Sequence, residues 1–396
     1  MKYELLNKNR IIATFELHEE YGVETVKKIS EFSNLPFWMD NLQDWLENRG
    51  AAKHRAFVKK LLSKMGADSI SGFIALTNCL SLQDTFWVRT EGSPLEWKDV
   101  NLFSNDFSEV MTHLAFDGTG LYGERIRTTS PELTTDGAYD KCWVRRDGDI
   151  VLLKAGSSGA RNAGLEPYSE YMASQVYEKI CPGAVKYSIE KYRGRVVTSC
   201  NSFSSEICGY KPISLWLGNR HGIKDILETI EKYGFSTDIF RRMIAADAVC
   251  VNSDRHFGNF GFMVGNDTFN PLSLAPIFDY NMAFSPYAEK EDFNDYDVYI
   301  KSRGPATGGD YVPVAKSLLT PEIKSELIAL KDLELTLPDW CSEEEKYPFP
   351  KERVAIMNQV KNVMIDRILG RAASFPFVNP KDHHVEEDIA DDFGDR

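Results

Sequence analysis

The sequence predicts an α+β chain with two lobes, a small lobe rich in β-strands followed by a helical lobe, and an added helical region at the N-terminus. Two apolar runs, Cys142–Arg145 and Ile150–Lys154, flank the dipeptide Asp147-Gly148, which is a strong β-hairpin signal. Helical periodicity then recurs in five stretches of the chain, at 166–180, 223–234, 238–251, 320–331 and 351–374.

The first 110 residues are expected to be mainly helical. Helical spacing of apolar side chains occurs twice, first at Val23, Val26, Ile29 and Phe32, and then at Phe57, Val58, Leu61, Leu62 and Met65. A β-like segment at 84–89 follows, and Trp87 and Trp97 are expected to pack a small core. The predicted boundaries give an N-terminal region at 1–110, a small lobe at 111–203, a helical lobe at 204–378 and a disordered acidic tail at 379–396.

Charge and cysteine content exclude several classes of protein. The net charge of −13 argues against a surface that coats nucleic acid or anionic lipid, because such binding uses clustered Lys and Arg. The seven cysteines are scattered without metal-ligand spacing, which indicates reduced thiols. Neither a signal sequence nor an apolar run of membrane-spanning length is found. A cytoplasmic protein without membrane contact is therefore expected.

The most informative motif is the segment 252–259 together with Ile277–Tyr280. In protein kinases, a catalytic-loop Asp accepts the proton of the substrate hydroxyl and an Asn five positions later holds Mg²⁺. A second Asp, after a hairpin, holds the bridging Mg²⁺. Asp254, Asn259 and Asp279 have that order and that first spacing. The motif therefore predicts the active site of an ATP-dependent kinase that uses Mg²⁺.

Lys154 and Glu170 fit the same chemistry, since a lysine at a strand end can reach phosphate oxygens and a carboxylate on the next helix can hold it extended. Each residue alone has another interpretation. The Lys–Glu pair could be a solvated surface contact, Asp254 could cap a turn, and His256 could be a buried, hydrogen-bonded imidazole. The complete ordered set favours the catalytic interpretation.

Two further segments leave alternatives open. The glycine-rich stretch 156–164 is interpreted mainly as a flexible connector before the helix of Glu170, and Arg161 is the residue there that could contact phosphate or substrate. The acidic, aromatic run 287–299 takes the place of an activation segment. It could attract a basic substrate or be a solvated loop.

The segment 252–283 resembles the C-terminal domain of HipA-like serine/threonine kinases, whose catalytic loop reads Asp-Arg-His-x-x-Asn. Upstream, Gly137-Ala138-x-x-Lys141 is similar to the phosphate loop of that family, and Lys154 and Glu170 are similar to its ATP-anchoring pair. The resemblance covers about 130–285, extends more weakly to about 375, and does not cover 1–110.

The resemblance implies a bilobed protein-kinase-like fold that binds Mg·ATP, with Asp254 as general base and Asn259 and Asp279 as metal ligands. It also implies a hinge at Val197–Phe203 that meets adenine, so that Cys200 and Phe203 are expected to bind the cofactor together with Gly137, Ala138, Lys141, Lys154, Glu170 and His256. In HipA-like kinases a serine of the phosphate loop can be autophosphorylated. Here 136–141 contains no serine, although Thr134 and Thr135 adjoin it.

The function expected from the resemblance is transfer of the γ-phosphoryl group of ATP to a Ser or Thr hydroxyl of a protein. One alternative is a kinase of a lipid or small-molecule hydroxyl. Another is a nucleotide-binding toxin–antitoxin or regulatory module with little turnover. A regulatory or antitoxin partner is possible on this interpretation, and direct binding to nucleic acid is not expected.

Overall fold

The computed structural model describes residues 1–31, 35–49, 69–109, 112, 116, 131–135, 139–158, 163–343 and 351–375. Within these ranges the chain is a mixed α+β structure, as predicted, with three antiparallel sheets. No helix in the described residues is long and apolar enough to cross a membrane. All seven cysteines are free. The predicted helical face at 57–65 and the predicted acidic tail at 379–396 lie outside the described residues.

The N-terminal region is built on a four-stranded sheet, so the prediction of a helical region was wrong. The strands lie in the order β3-β2-β1-β4 and comprise β1 Lys2–Asn7, β2 Arg10–Glu20, β3 Val23–Glu31 and β4 Phe86–Thr90. In the described residues of this region, short helices accompany them, namely a 3-10 turn Phe37–Met39 and the α-helices α1 Leu42–Glu47, α2 Ile70–Thr77 and α3 Trp97–Val100. As expected, Trp87 and Trp97 share a small core.

The spacing of Val23, Val26 and Ile29 resembled a helix, but Val23 and Ile29 are exposed and do not mark a buried face. The β2–β3 register shifts between Thr14 and Phe15, so one residue of β3 is extra and the period of two is broken there. The hairpin itself turns at Tyr21 and Gly22, both with positive φ, 54° and 78°. Two consecutive positive φ values are the mark of a type I′ turn, which joins antiparallel strands.

The small lobe contains the predicted hairpin. Its sheet has the order β5-β6-β8-β7, formed by β5 Lys141–Arg146, β6 Asp149–Ala155, β7 Ser188–Tyr192 and β8 Arg195–Asn201. A short 3-10 helix, Pro131–Thr134, precedes it. The helix α4, Glu166–Ile180, has the predicted bounds and packs against this sheet. Lys154 is therefore near the end of a central strand that faces a helix.

The helical lobe begins with a three-stranded sheet of order β11-β10-β9, formed by β9 Cys208–Pro212, β10 Gly261–Gly265 and β11 Pro271–Leu274. Its helices are α5 Ser214–Leu217, α6 Ile223–Lys232, α7 Asp238–Cys250, α8 Tyr296–Ser302, α9 Tyr311–Leu318, α10 Pro321–Leu330 and α11 Lys351–Ile368, with 3-10 turns Glu291–Asp295 and Asp339–Glu343. The central helix α7 packs against α4, α9 and α11. It therefore provides a rigid base for the loop that follows it.

The N-terminal region is docked onto β9 and the β10–β11 hairpin. Asp84 is buried between Arg49, also of the N-terminal region, and Lys211 of β9, at 2.5 and 2.6 Å. On the surface, Lys8 pairs with Asp267 at 2.8 Å. These contacts join the N-terminal sheet to the strands that lie beside the candidate site.

Candidate active site

The segment 252–259 forms a tight loop at the C-terminal end of α7. Helix α7 ends at Val251, whose left-handed φ of 51° turns the chain. The backbone N–H of Asn252 then donates to the carbonyl of Asp247 at 2.9 Å, and the Asn252 side-chain oxygen accepts from the N–H of Asp254 at 3.2 Å. The position of Asp254 is thus fixed by the helix end rather than by a flexible connection.

Arg255 is completely buried and ties this loop to its surroundings. Its guanidinium contacts the Asp247 carboxylate at 3.2 Å and donates to the carbonyls of Asn259 at 2.9 Å and Phe278 at 2.6 Å. These contacts hold both ends of the loop, and the residue before Asp279, against α7. Asp254, Asn259 and Asp279 are therefore carried on one braced unit.

Lys154 lies between two carboxylates. Its Nζ is 2.7 Å from Glu170 Oε1 and 2.7 Å from Asp279 Oδ1. Glu170 also accepts hydrogen bonds from the Thr198 hydroxyl and, at 3.3 Å, from the backbone N–H of Tyr280. The structure thus brings together the predicted lysine, the helix carboxylate and the second aspartate, which are far apart in sequence.

The backbone of Asp279 is in the left-handed region, with φ of 64°. A non-glycine residue rarely adopts this conformation, and such strain persists only where the surroundings impose it. Here the N–H of Asp279 donates to the Tyr187 hydroxyl at 3.1 Å, and Lys154 holds the carboxylate. The carboxylate keeps about a quarter of its surface exposed, so it can still meet a ligand.

The pKa values of the two aspartates are shifted in opposite directions. Burial acts to raise the pKa of Asp279, but the Lys154 ammonium outweighs this effect and lowers the pKa to about 2. The pKa of Asp254 is raised, first by partial burial and then by the negative charge of Asp279. Asp279 therefore stays ionised, as a cation ligand must, while Asp254 is the more basic carboxylate, as a proton acceptor should be.

Asn259 and Asp279 offer the hard oxygen atoms that Mg²⁺ prefers. The Asn259 Nδ2 donates to the Asp254 carbonyl at 3.0 Å, which leaves the side-chain oxygen for a cation. The described residues contain no group of three or more His, Cys, Asp or Glu side chains suited to a metal.

Lys141 lies directly opposite Lys154 in the β5–β6 ladder and is buried. Its charge contributes to the low pKa of Asp279, so it belongs to the same electrostatic site. The other two residues of the predicted phosphate loop, Gly137 and Ala138, lie outside the described residues, as does Arg161.

The predicted hinge leads from β8 into the following loop. Cys200 is near the end of β8, and the Phe203 ring lies 5.2 Å from the ring of Phe278, the residue before Asp279. His256 is exposed, and its Nδ1 accepts from the N–H of Gly258 at 3.0 Å. The alternative of a buried imidazole was therefore wrong, whereas a role of His256 in ATP binding stays a prediction.

Sequence reasoning missed a tyrosine–carboxylate link across the site. The Tyr139 and Tyr287 hydroxyls are 2.9 Å apart, and Tyr287 also donates to Glu166 at the start of α4. Glu166 in turn accepts from the N–H of Ser157 at 3.1 Å. The only sequence signal was that Tyr139 lies inside the motif at 137–141 and Tyr287 begins the acidic run.

A second missed residue is Tyr210 on β9. Its backbone N–H donates to the carbonyl of Gln83 in the N-terminal region at 3.1 Å, and its hydroxyl donates to the Gly258 carbonyl at 2.6 Å. Its ring lies edge-on to Phe278 at 5.1 Å. Tyr210 therefore connects the N-terminal region directly to the loop of Asp254 and Asn259.

No protein-family model matches the chain. In sequence it is similar to the serine/threonine-protein kinase CtkA of Helicobacter pylori, with 25% identity over 136 residues. That match covers 31% of this chain and 42% of CtkA, less than half of the relative. The solved structure of the proinflammatory kinase CtkA aligns with 17% identity over 58% of this chain and 90% of that one, with a TM-score of 0.41.

The fold is shared with a chain in the solved complex of the Shewanella oneidensis toxin–antitoxin system HipA, HipB and its operator DNA. The alignment covers 93% of this chain and 98% of that chain, with 12% identity and a TM-score of 0.50. At this identity the likeness concerns the fold alone. The chain therefore resembles HipA-like kinases in its motifs and has a kinase-like α+β fold.

Proposed function

We propose that this protein is a Mg·ATP-dependent serine/threonine protein kinase of the HipA-like type. The observation that carries the proposal is the convergence of Lys154 on Glu170 and Asp279, beside a braced loop that bears Asp254 and Asn259. Phosphoryl transfer needs mainly positioned charge and an oriented hydroxyl. This set supplies the charge, and Asp254 is a carboxylate that can orient the hydroxyl of the acceptor. The similarity to CtkA supports the same activity.

Each residue has a role that its surroundings permit. Lys154, held extended by Glu170, binds phosphate oxygens of ATP, and Lys141 adds positive charge beside it. Asn259 and Asp279 hold Mg²⁺, which neutralises phosphate charge when bound. Asp254 accepts the proton of the acceptor hydroxyl as the oxygen of that hydroxyl forms the bond to the γ-phosphorus. The bond between the γ-phosphorus and the β,γ-bridging oxygen breaks, and ADP leaves. The residues 197–203 are the proposed adenine-binding hinge.

The acceptor is proposed to be a Ser or Thr hydroxyl of a protein, since the similar CtkA is a serine/threonine-protein kinase. Because a chain of similar fold was solved in a complex with HipB and operator DNA, an antitoxin-like protein partner is also proposed for this chain. The chemistry of Asp254 itself accommodates any alcohol, so a lipid or metabolite acceptor is the second candidate.

The test is incubation of the purified wild-type protein and the Asp254→Ala variant with Mg²⁺ and γ-labelled ATP, alone and with a cell lysate. We expect label on Ser or Thr with the wild type, and a loss of transfer by about 10²–10⁴-fold in Asp254→Ala because the proton acceptor is gone. ATP binding should be unchanged in Asp254→Ala and weaker in Asp279→Ala, which lacks a metal ligand.

The matched control is Asp40→Ala, which removes an exposed aspartate of the N-terminal region and should transfer at the wild-type rate. Unchanged transfer by Asp254→Ala would exclude the mechanism. Label that appears only in lipid or metabolite extracts would support the second candidate instead.

A further inference from the structure

A small depression opens beside the catalytic loop. One side is formed by Ser253, which directly precedes Asp254, and the other by the segment that follows Asp279, through Met282, Ser285, Tyr287, Tyr299 and Arg303. Its volume is about 290 Å³ including the part open to solvent. It is therefore a shallow surface depression and not an enclosed small-molecule pocket, and a side chain of a bound peptide would lie across it.

The depression adjoins the residue that precedes Asp254 in the chain. The described residues that belong to the nucleotide side, Lys154, Glu170 and Phe203, do not line it. Ser253, in contrast, places its edge one residue from the proposed proton acceptor. A peptide bound there would lie beside the loop that carries Asp254.

Arg303 alone is charged among the described residues that line this depression. Its guanidinium stacks on the Tyr299 ring at 4.1 Å, and its backbone carbonyl accepts from the Tyr311 hydroxyl at 3.0 Å. The residue is exposed, and the one hydrogen bond of its guanidinium found in the described part of the chain goes to the Ser302 hydroxyl at 3.5 Å. A held, exposed guanidinium with free N–H groups is suited to a carboxylate.

The acidic side chains nearby do not line the depression. Asp297 pairs with Arg367, and Asp292 accepts from the backbone N–H of Glu289 at 2.8 Å. Tyr299, Ile300 and Pro286 supply the apolar wall. Among the described residues, the lining of the depression thus carries one positive charge and no negative charge, although the surrounding run 287–299 is rich in acids.

We propose that this depression is a subsite for the protein substrate and that Arg303 selects an acidic residue close to the acceptor Ser or Thr. The inference rests on the proposed function, since it names the substrate class of that same site. It also replaces the expectation that the acidic run 287–299 attracts a basic substrate.

The test uses synthetic fluorescent peptides with one serine, flanked on either side by Asp, by Lys or by Ala. Binding is measured by anisotropy in the presence of Mg²⁺ and a non-hydrolysable ATP analogue, and transfer is measured with ATP. For the wild type we expect kcat/KM and affinity to be on the order of tenfold higher for the Asp peptides than for the Lys peptides, as for one partly hydrated charge-assisted contact.

Arg303→Glu should reverse this preference, and Arg303→Gln should abolish it. Lys301→Gln, which removes an exposed lysine of the same helix end, should leave it unchanged. Transfer without any preference for Asp, or the same preference in Arg303→Glu, would overturn the subsite. Binding of none of the peptides would overturn it as well.

The two proposals fail in different ways. Binding of the Asp peptides that depends on Arg303, without transfer to serine, would support the subsite and contradict the protein kinase activity. Transfer to serine at the same rate in all peptides would support the protein kinase activity and contradict the subsite.

Discussion

At the scale of single residues, the pair Asp254 and Asp279 shows how one site can give two carboxylates different tasks. Lys154 forms an ion pair with Asp279, which stabilises the ionised form of that carboxylate. Burial and the negative charge of Asp279 instead raise the pKa of Asp254. This separation of pKa values supports the proposed roles of Asp254 as proton acceptor and of Asp279 as metal ligand.

The separation can be measured by NMR titration of the carboxyl carbons in the nucleotide-free protein. We expect Asp279 to titrate at about 2 and Asp254 to titrate above the ordinary aspartate value of about 3.9. Asp279→Asn should lower the pKa of Asp254, because it removes the negative charge that raises it. As a base, Asp254 must be ionised, so activity should fall as the pH decreases through its pKa. An Asp254 pKa that is unchanged in Asp279→Asn would contradict the coupling.

At the scale of elements, the sequence allowed a good prediction of the unit that carries Lys154 and Glu170. An Asp-Gly turn and a helix with regular apolar spacing are local signals, and both elements are where they were expected. Strand β3 was mistaken for a helix because its apolar residues Val23 and Ile29 are exposed and because a bulge interrupts the alternation of side chains at Ile29. Asp247 and Tyr210 were missed because their importance comes from contacts to distant segments.

Helix α7 and the catalytic loop are held together by the buried pair Asp247–Arg255. Asp247→Asn would leave Arg255 buried with its charge uncompensated, so we expect a loss of stability of about 3–5 kcal/mol. The comparison is Asp238→Asn in the same helix, where the partly exposed Asp238 pairs with Arg242 and Glu326 remains as a second partner. That change should cost about 0–1 kcal/mol. Urea denaturation measures the free energy of unfolding of both variants. Equal losses of stability in Asp247→Asn and Asp238→Asn would argue against the bracing role of Arg255.

At the scale of the whole molecule, the N-terminal region is attached through a buried charge cluster. Asp84 lies between Arg49 and Lys211, and their charges outweigh burial and lower its pKa. A lowered pKa means that the contribution of Asp84 to stability is complete above its unfolded value and is lost only as the pH falls towards the folded value. The attachment should therefore persist at the moderately acidic pH where ordinary aspartates become protonated.

Asp84→Ala should loosen the N-terminal region, because it leaves two buried positive charges without their partner. We expect the free energy of unfolding to fall by about 3–5 kcal/mol and proteolytic cleavage between the N-terminal sheet and the small lobe to become faster. Asp267→Ala, which breaks the exposed pair with Lys8 across the same interface, should change the cleavage rate little. Similar cleavage rates in the two variants would show that Asp84 does not hold the interface.

The enclosure of Arg255 has a consequence for how such an enzyme can be controlled. In many kinases, phosphorylation of the activation segment orders the active site through a new arginine–phosphate pair. Here the arginine of the catalytic loop is fully buried and already bound to Asp247 and two carbonyls. A phosphate added to the segment after Asp279 would have no access to it. The loop 252–259 is already ordered without phosphorylation, so Arg255 cannot activate the protein by binding a phosphate. Regulation through this loop would therefore have to act by preventing access to it.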